Sequence, residues 1–140
     1  MKASLSAECW RCTGDPGDFI HIFWSCPVIK HYWSQVLAVI QEVVGIDIAP
    51  SPQICLLGLV EELAPRVAER TLIGLLLFYA RKMITPCWKK RAPPSTLLWK
   101  SHVNKVLPLY KGTYQNRGCP KKYDRVWAKW LAEASTATGD

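Results

Sequence analysis

Pro27-Val-Ile-Lys-His-Tyr-Trp-Ser-Gln-Val-Leu-Ala-Val-Ile-Gln-Glu-Val-Val-Gly45 is the stretch from which the fold class is read. Apolar residues recur at Val28, Ile29, Tyr32, Trp33, Val36, Leu37, Val39, Ile40, Val43 and Val44. That is the 3.6-residue period of a helix buried along one side. Pro27 suits the first turn, where its missing N–H costs no hydrogen bond. Gly45 supplies the left-handed residue that commonly closes a helix. His31 falls on the solvent side of this helix.

The same period continues toward the C-terminus. Pro50 and Pro52 break residues 46–53 into a loop, and Ile54 to Leu59 is a short apolar run, either a turn of helix or a short strand. A second long helix is predicted from Pro65 to Met83. Leu72, Ile73, Leu75, Leu76, Leu77 and Phe78 make it apolar on nearly all sides, so it should be the central buried helix. Gly74 would let a neighbour approach closely, and Pro86 bends or ends the helix. Glu61, Glu62 and Glu69 sit near its start, where the macrodipole favours acids. Ser95 reads as the N-cap of a third helix carrying Leu97, Leu98, Val103, Val106 and Leu107, which Pro108 should kink or divide. Leu109 to Arg117 keeps helical spacing until Gly118. Pro120 opens a last helix with Val126, Trp127, Trp130 and Leu131 on its apolar side. The expectation is an all-α fold of about four helices over residues 28–133, with no internal repeat and a frayed tail over 134–140.

On the other side of Pro27 the chain reads Cys9-Trp10-Arg11-Cys12 … His21-Ile22-Phe23-Trp24-Ser25-Cys26, a Cys-x2-Cys-x8-His-x4-Cys spacing. Three thiols and an imidazole are a standard tetrahedral zinc set. The close Cys9–Cys12 pair can turn both sulfurs toward one ion. The gap holding Gly14, Pro16 and Gly17 lets the chain return with His21 and Cys26. His31 is an alternative to His21 in fourth place. With four protein ligands no coordination position is left for a reactive water, so the zinc would be structural. Residues 1–27 are thus expected to form a small Cys₃His module, zinc-knuckle-like, packed against the first helix.

The net charge of +7 conceals an asymmetry. Residues 1–80 carry five Lys/Arg against eight Asp/Glu, and residues 81–130 carry thirteen against the single Asp124. Positive charge gathered in one half points to a polyanionic partner, nucleic acid first. The candidate contacts are Arg11, Arg81, Lys82, Lys89, Lys90, Arg91, Lys111, Arg117, Lys121, Lys122 and Arg125. Aromatics are interleaved with them at Trp88, Tyr110, Tyr114, Tyr123, Trp127 and Trp130, and such rings can stack on unpaired bases. Trp127 and Trp130 also lie on the apolar side of the last helix, which favours the core for them. Trp10, Phe23 and Trp24 beside the zinc ligands suit packing and stacking equally.

Other classes find little support. The chain has no Gly-rich phosphate loop and no Gly-x-Ser-x-Gly elbow. One carboxylate among residues 81–130 cannot build a two-metal phosphoryl site. The expectation is therefore a non-enzyme without a small-molecule substrate. Met1 and Lys2 are not followed by an apolar signal core, and the most apolar run, Leu72 to Ala80, is too short to span a bilayer. This predicts an intracellular protein, nuclear or cytoplasmic, without a membrane partner. In such a reducing compartment Cys55, Cys87 and Cys119 serve packing.

The spacing of Cys9, Cys12, His21 and Cys26 resembles the Cys-Cys-His-Cys segment near the C-terminus of the second-ORF reverse-transcriptase polyproteins of LINE-type, non-LTR retrotransposons. The stretches Ile54-Cys55-Leu56-Leu57-Gly58, Leu75 to Lys82, and Arg117-Gly118-Cys119-Pro120-Lys121-Lys122-Tyr123-Asp124 share the likeness, which covers about residues 9–131. The resemblance implies a C-terminal piece separated from its endonuclease and reverse-transcriptase domains. It would help the polyprotein grip RNA or the DNA target and sit beside the reverse-transcriptase domain; for this chain the expected ligand is RNA or single-stranded DNA. No catalytic residue carries over. A different class of role, a protein-interaction scaffold docking a polymerase domain or a host factor, remains open on the same residues.

Overall fold

The computed structural model describes residues 21–60, 62–63, 66–87 and 92–138. Every regular element among them is helical: α1 (Pro27–Val44), α2 (Pro52–Cys55), α3 (Val67–Lys82), α4 (Thr96–Asn116) and α5 (Pro120–Thr138). A π-type turn at His21–Ser25 precedes α1, and a 3-10 turn at Thr85–Cys87 follows α3. The fold is all-α, as the periodicity predicts. Cys9 and Cys12 lie outside the described residues, and with them most of the expected zinc module.

α1 matches its sequence reading almost residue for residue. Ile29, Tyr32, Trp33, Val36, Leu37, Ile40, Val43 and Val44 are buried, and Gly45 ends the helix at φ 73°. α3 is the hub, packing on α1, α4 and α5. Two polar ties set the alignment of α1 and α3. Tyr32 Oη donates to the Ala80 carbonyl at 2.8 Å, near the end of α3. At the opposite end Lys129 of α5 donates to the Val44 carbonyl at 3.3 Å and pairs with Glu69 in the first turn of α3. The two helices therefore run antiparallel. Among the described residues Trp33, Trp99 and Trp127 are the largest fully buried side chains, so tryptophan serves this core first.

Several local expectations are corrected. α3 is not buried all round: Val67 and Phe78 are exposed, while Leu72, Ile73, Leu76 and Leu77 face inward. Gly74 marks no close crossing, because an added Cβ would meet Val60 Cγ2 at an ordinary 3.8 Å. The short apolar run begins as helix α2 and not as a strand. Ser95 does cap α4, its Oγ accepting from the Leu97 N–H at 3.1 Å. Leu97 and Leu98, however, are exposed, at 74% and 60%. Trp99, Val103 and Leu107, spaced i, i+4 and i+8, turn inward instead, and the bulk of Trp99 sets that phase. Pro108 does not divide the helix. It sits on the exposed side, and its ring withdraws one donor from the ladder while α4 continues to Asn116. α5 buries Tyr123, Val126, Trp127 and Trp130, and its backbone stays helical through residues 134–138.

Cys55 is a core residue, as expected. Burial pushes its thiol up from 9.0 to about 11, with the Ser51 backbone and the Arg81 charge opposing only in part. A raised acid keeps its proton longer in the folded chain than in the unfolded one. Its contribution to stability is complete below pH 9 and is lost as pH rises toward about 11. Two units correspond to roughly 2–3 kcal/mol. Urea stability should therefore fall across this window, and the fall should be shallower in Cys55→Ala. An equal slope in both proteins would assign the loss to other groups. Among the described residues, no helix is long and apolar enough to cross a membrane.

Candidate nucleic-acid interface

The His-x4-Cys half of the zinc motif folds into a single turn. The Cys26 N–H donates to the His21 carbonyl at 2.8 Å, closing an i to i+5 ring over His21–Ser25. This turn brings the two ends of the spacing back together just ahead of α1. Cys26 is fully buried and His21 is 6% exposed. Cys26 also occupies the N-cap of α1. A histidine and a cysteine, two of the motif's ligand types, are thus both buried at the two ends of one turn. His31, the alternative, is exposed on α1. Among the described residues, no group of three or more His, Cys, Asp or Glu side chains is placed to hold an ion.

The basic candidates divide by location. Arg11, Lys89, Lys90 and Arg91 lie outside the described residues. Arg81 serves the fold, its Nη1 donating to the carbonyls of Cys55 and Leu56 at 3.1 and 2.9 Å. It thereby closes the C-terminus of α2, where a cation meets the negative end of the dipole. Lys82 is exposed and lies over the rings of Phe78 and Tyr79. Lys111 and Arg117 are exposed on the last turns of α4 and just beyond it. Lys121, Lys122 and Arg125 are exposed on the first turns of α5.

These last three residues share a helix face with Lys129, opposite buried Tyr123, Val126, Trp127 and Trp130. The face continues into a groove of about 320 Å³ walled by Arg125 and Lys129 from α5 and by Arg66 and Glu69 from the start of α3. Arg66 is an addition that composition concealed, since it belongs to the net-acidic half of the chain. α5 has no acid in its first turn. Lys121 and Lys122 stand at the positive end of its dipole, where cations cost stability. A bound polyanion would offset that cost.

The interleaved aromatics do not share this face. Tyr123, Trp127 and Trp130 are buried. Tyr110 and Tyr114 are half-buried against the core, and the Tyr110 hydroxyl lies 2.8 Å from that of Tyr79. Trp130 donates to Asn104 Oδ1 at 2.9 Å. The stacking surface expected beside these cations is therefore absent among the described residues, because a helix that exposes its lysines turns the intervening rings inward. Phe23 and Trp24 are half-buried beside the Cys26 turn.

Among the described residues the geometry defines a helical bundle with a cationic helix face and, at its N-terminal end, a turn that buries His21 and Cys26. No family model matches the chain, and no solved structure matches it.

Proposed function

We propose that this chain is a non-catalytic module that binds RNA or single-stranded DNA, corresponding to the C-terminal part of a LINE-type reverse-transcriptase polyprotein. Cys9, Cys12, His21 and Cys26 would hold a structural zinc. The observation that carries the binding reading is the exposed row Lys121, Lys122 and Arg125, with Arg66 across the adjoining groove; Lys129 between them is already paired with Glu69. Such a row contacts phosphates without reading bases, so binding should be sequence-tolerant and strongly salt-dependent.

The test is a titration of the full chain with a labelled 20-nucleotide single-stranded RNA at several salt concentrations. Each phosphate neutralised on a single strand contributes about 0.7 to the slope of log affinity against log salt. The triple variant Lys121→Glu, Lys122→Glu, Arg125→Glu should lower that slope by about 2 and weaken binding on the order of 100-fold. All three side chains are exposed, so the fold should survive. Salt-insensitive binding, or a triple variant that binds like wild type, would overturn the reading.

A second reading, docking to a polymerase domain or a host protein, is favoured by one surface. Leu57, Leu59, Val67 and Phe78 are all exposed along α3 and the segment after α2. An open groove between Val60, Val67, Gly74 and Leu75 lies within this surface. Arg70 and Thr71 complete the groove's lining, and an apolar groove with a polar edge suits a protein interface. Salt-insensitive capture of a protein partner, lost in Val67→Asp, would support it.

A further inference from the structure

Among the described residues the rings of the basic half are turned wholly or partly toward the core, so stacking there needs another site. One site among the described residues has the parts for it. A cleft of about 360 Å³ opens between the Cys26 turn, α1 and the loop before α2. Trp24, Trp33, Pro50 and Pro52 form its walls, and Lys30 and Ser34 complete its lining. Trp24 is half-exposed, and Trp33 stands behind it with ring centroids 6.1 Å apart. Trp33 is itself fixed, its Nε1 donating to the Phe23 carbonyl at 2.8 Å. The Trp24 ring therefore rests against a fixed neighbour, which limits the ordering cost of binding. Lys30 and Ser34 are exposed one turn apart on α1. Among the described residues, no ion pair engages Lys30 and no acceptor takes the Trp24 indole N–H.

We infer that this cleft takes one unpaired nucleotide, its base stacked on Trp24 and its phosphate on Lys30 and Ser34. The volume lies at the lower end of small-ligand cavities, about 300–1,000 Å³, and is too small for a duplex. The indole supplies a face that every base can use, the proline rings add apolar lining, and the ammonium sets the phosphate end. A proline-rich peptide would also meet the aromatic wall, but it has no use for Lys30. The nucleotide uses every wall. This inference rests on the nucleic-acid reading, yet it uses none of the α5 cations.

The experiment uses the full chain and a fluorescein-labelled uridine octamer, with anisotropy as the readout. Indole N–H resonances of ¹⁵N-labelled protein are followed in parallel. The Trp24 resonance, assigned by its loss in Trp24→Phe, should move on addition of the octamer. Trp24→Leu keeps apolar bulk and removes the ring, and it should weaken binding about 5- to 100-fold with an unchanged salt slope. Trp24→Phe should stay within about threefold of wild type. Lys30→Ala should lower the slope by about 0.7. An octamer that binds, loses affinity in the α5 triple variant and leaves the Trp24 resonance and Trp24→Leu affinity unchanged would overturn the cleft alone. Preference for a proline-rich peptide over the octamer in this cleft would overturn it as well. No octamer binding at any salt concentration would overturn both readings.

Discussion

Trp99→Ala is expected to destabilise the fold by about 3–5 kcal/mol, a large part of the roughly 5–15 kcal/mol that holds a domain of this size together. The side chain is fully buried on α4, and its Nε1 donates to the Leu76 carbonyl at 3.1 Å, in the middle of α3. Its ring meets Trp130 of α5 edge to face at 5.9 Å. One residue thus joins three helices, and truncation removes both a large apolar volume and a buried hydrogen bond. Phenylalanine separates these two losses. Trp99→Phe loses some volume and also a satisfied N–H, worth about 1 kcal/mol net. Trp127 is equally buried, but its Nε1 finds no acceptor among the described residues. Trp127→Phe therefore removes a donor whose desolvation costs about 1–3 kcal/mol, which offsets the lost ring volume. Urea denaturation should rank the variants Trp99→Ala, Trp99→Phe, Trp127→Phe, from most to least damaging. Equal losses in the two phenylalanine variants would show that the indole N–H groups contribute nothing to the difference.

The sequence reveals α1 because three signals coincide there: Pro27 at the start, Gly45 at the end and one unbroken apolar stripe between them. α3 shows where clarity fails. Its leucines and Phe78 surround the helix, so type and centrality are legible but phase is not. In α4 the phase misleads for a different reason. Leu97 and Leu98 read as core by composition, but only one face can point inward, and Trp99 with Val103 and Leu107 holds it. The interleaving of cations and rings over residues 121–130 illustrates the same geometry most clearly. Neighbours in a helix lie about 100° apart, so alternation along the chain becomes segregation in space. Lys121, Lys122 and Arg125 go out, and Tyr123, Val126 and Trp127 go in. The cationic face was legible; the idea that its rings stand beside it was not. Arg81 had no local signal at all, because the carbonyls that hold it are some 25 residues away. Trp24 could be placed only by tertiary structure, since Pro50 and Pro52 complete its cleft from beyond α1.

Cys26→Ser offers the most discriminating test of the proposed metal. Cys26 is the N-cap of α1, with φ −57° and ψ 129° and no side-chain cap hydrogen bond. Serine is among the preferred N-cap residues, and a better cap contributes about 1 kcal/mol. If Cys26 only packs and caps, the substitution should be close to neutral or slightly stabilising. If Cys26 is a zinc ligand, the same substitution replaces a thiolate with a poor donor and should expel the ion. Apparent zinc binding contributes about 10–16 kcal/mol in small sites that fold only with metal. Here α1 is also held by Tyr32, Trp33 and the rest of the core, so a loss of several kcal/mol is expected and not complete unfolding. Wild type should contain one zinc per chain, and a chelator should lower its urea midpoint. Cys26→Ser should contain none, with a lowered midpoint that the chelator leaves unchanged. His21→Asn should behave like Cys26→Ser, whereas His31→Asn, on the exposed side of α1, should keep the zinc. A stable, chelator-indifferent wild type together with a neutral Cys26→Ser would reduce the turn to a helix cap and remove zinc from the proposal. The exposed cations of α5 do not depend on that outcome, so binding through the basic face should persist in the same variants, whatever the turn bearing Trp24 contributes.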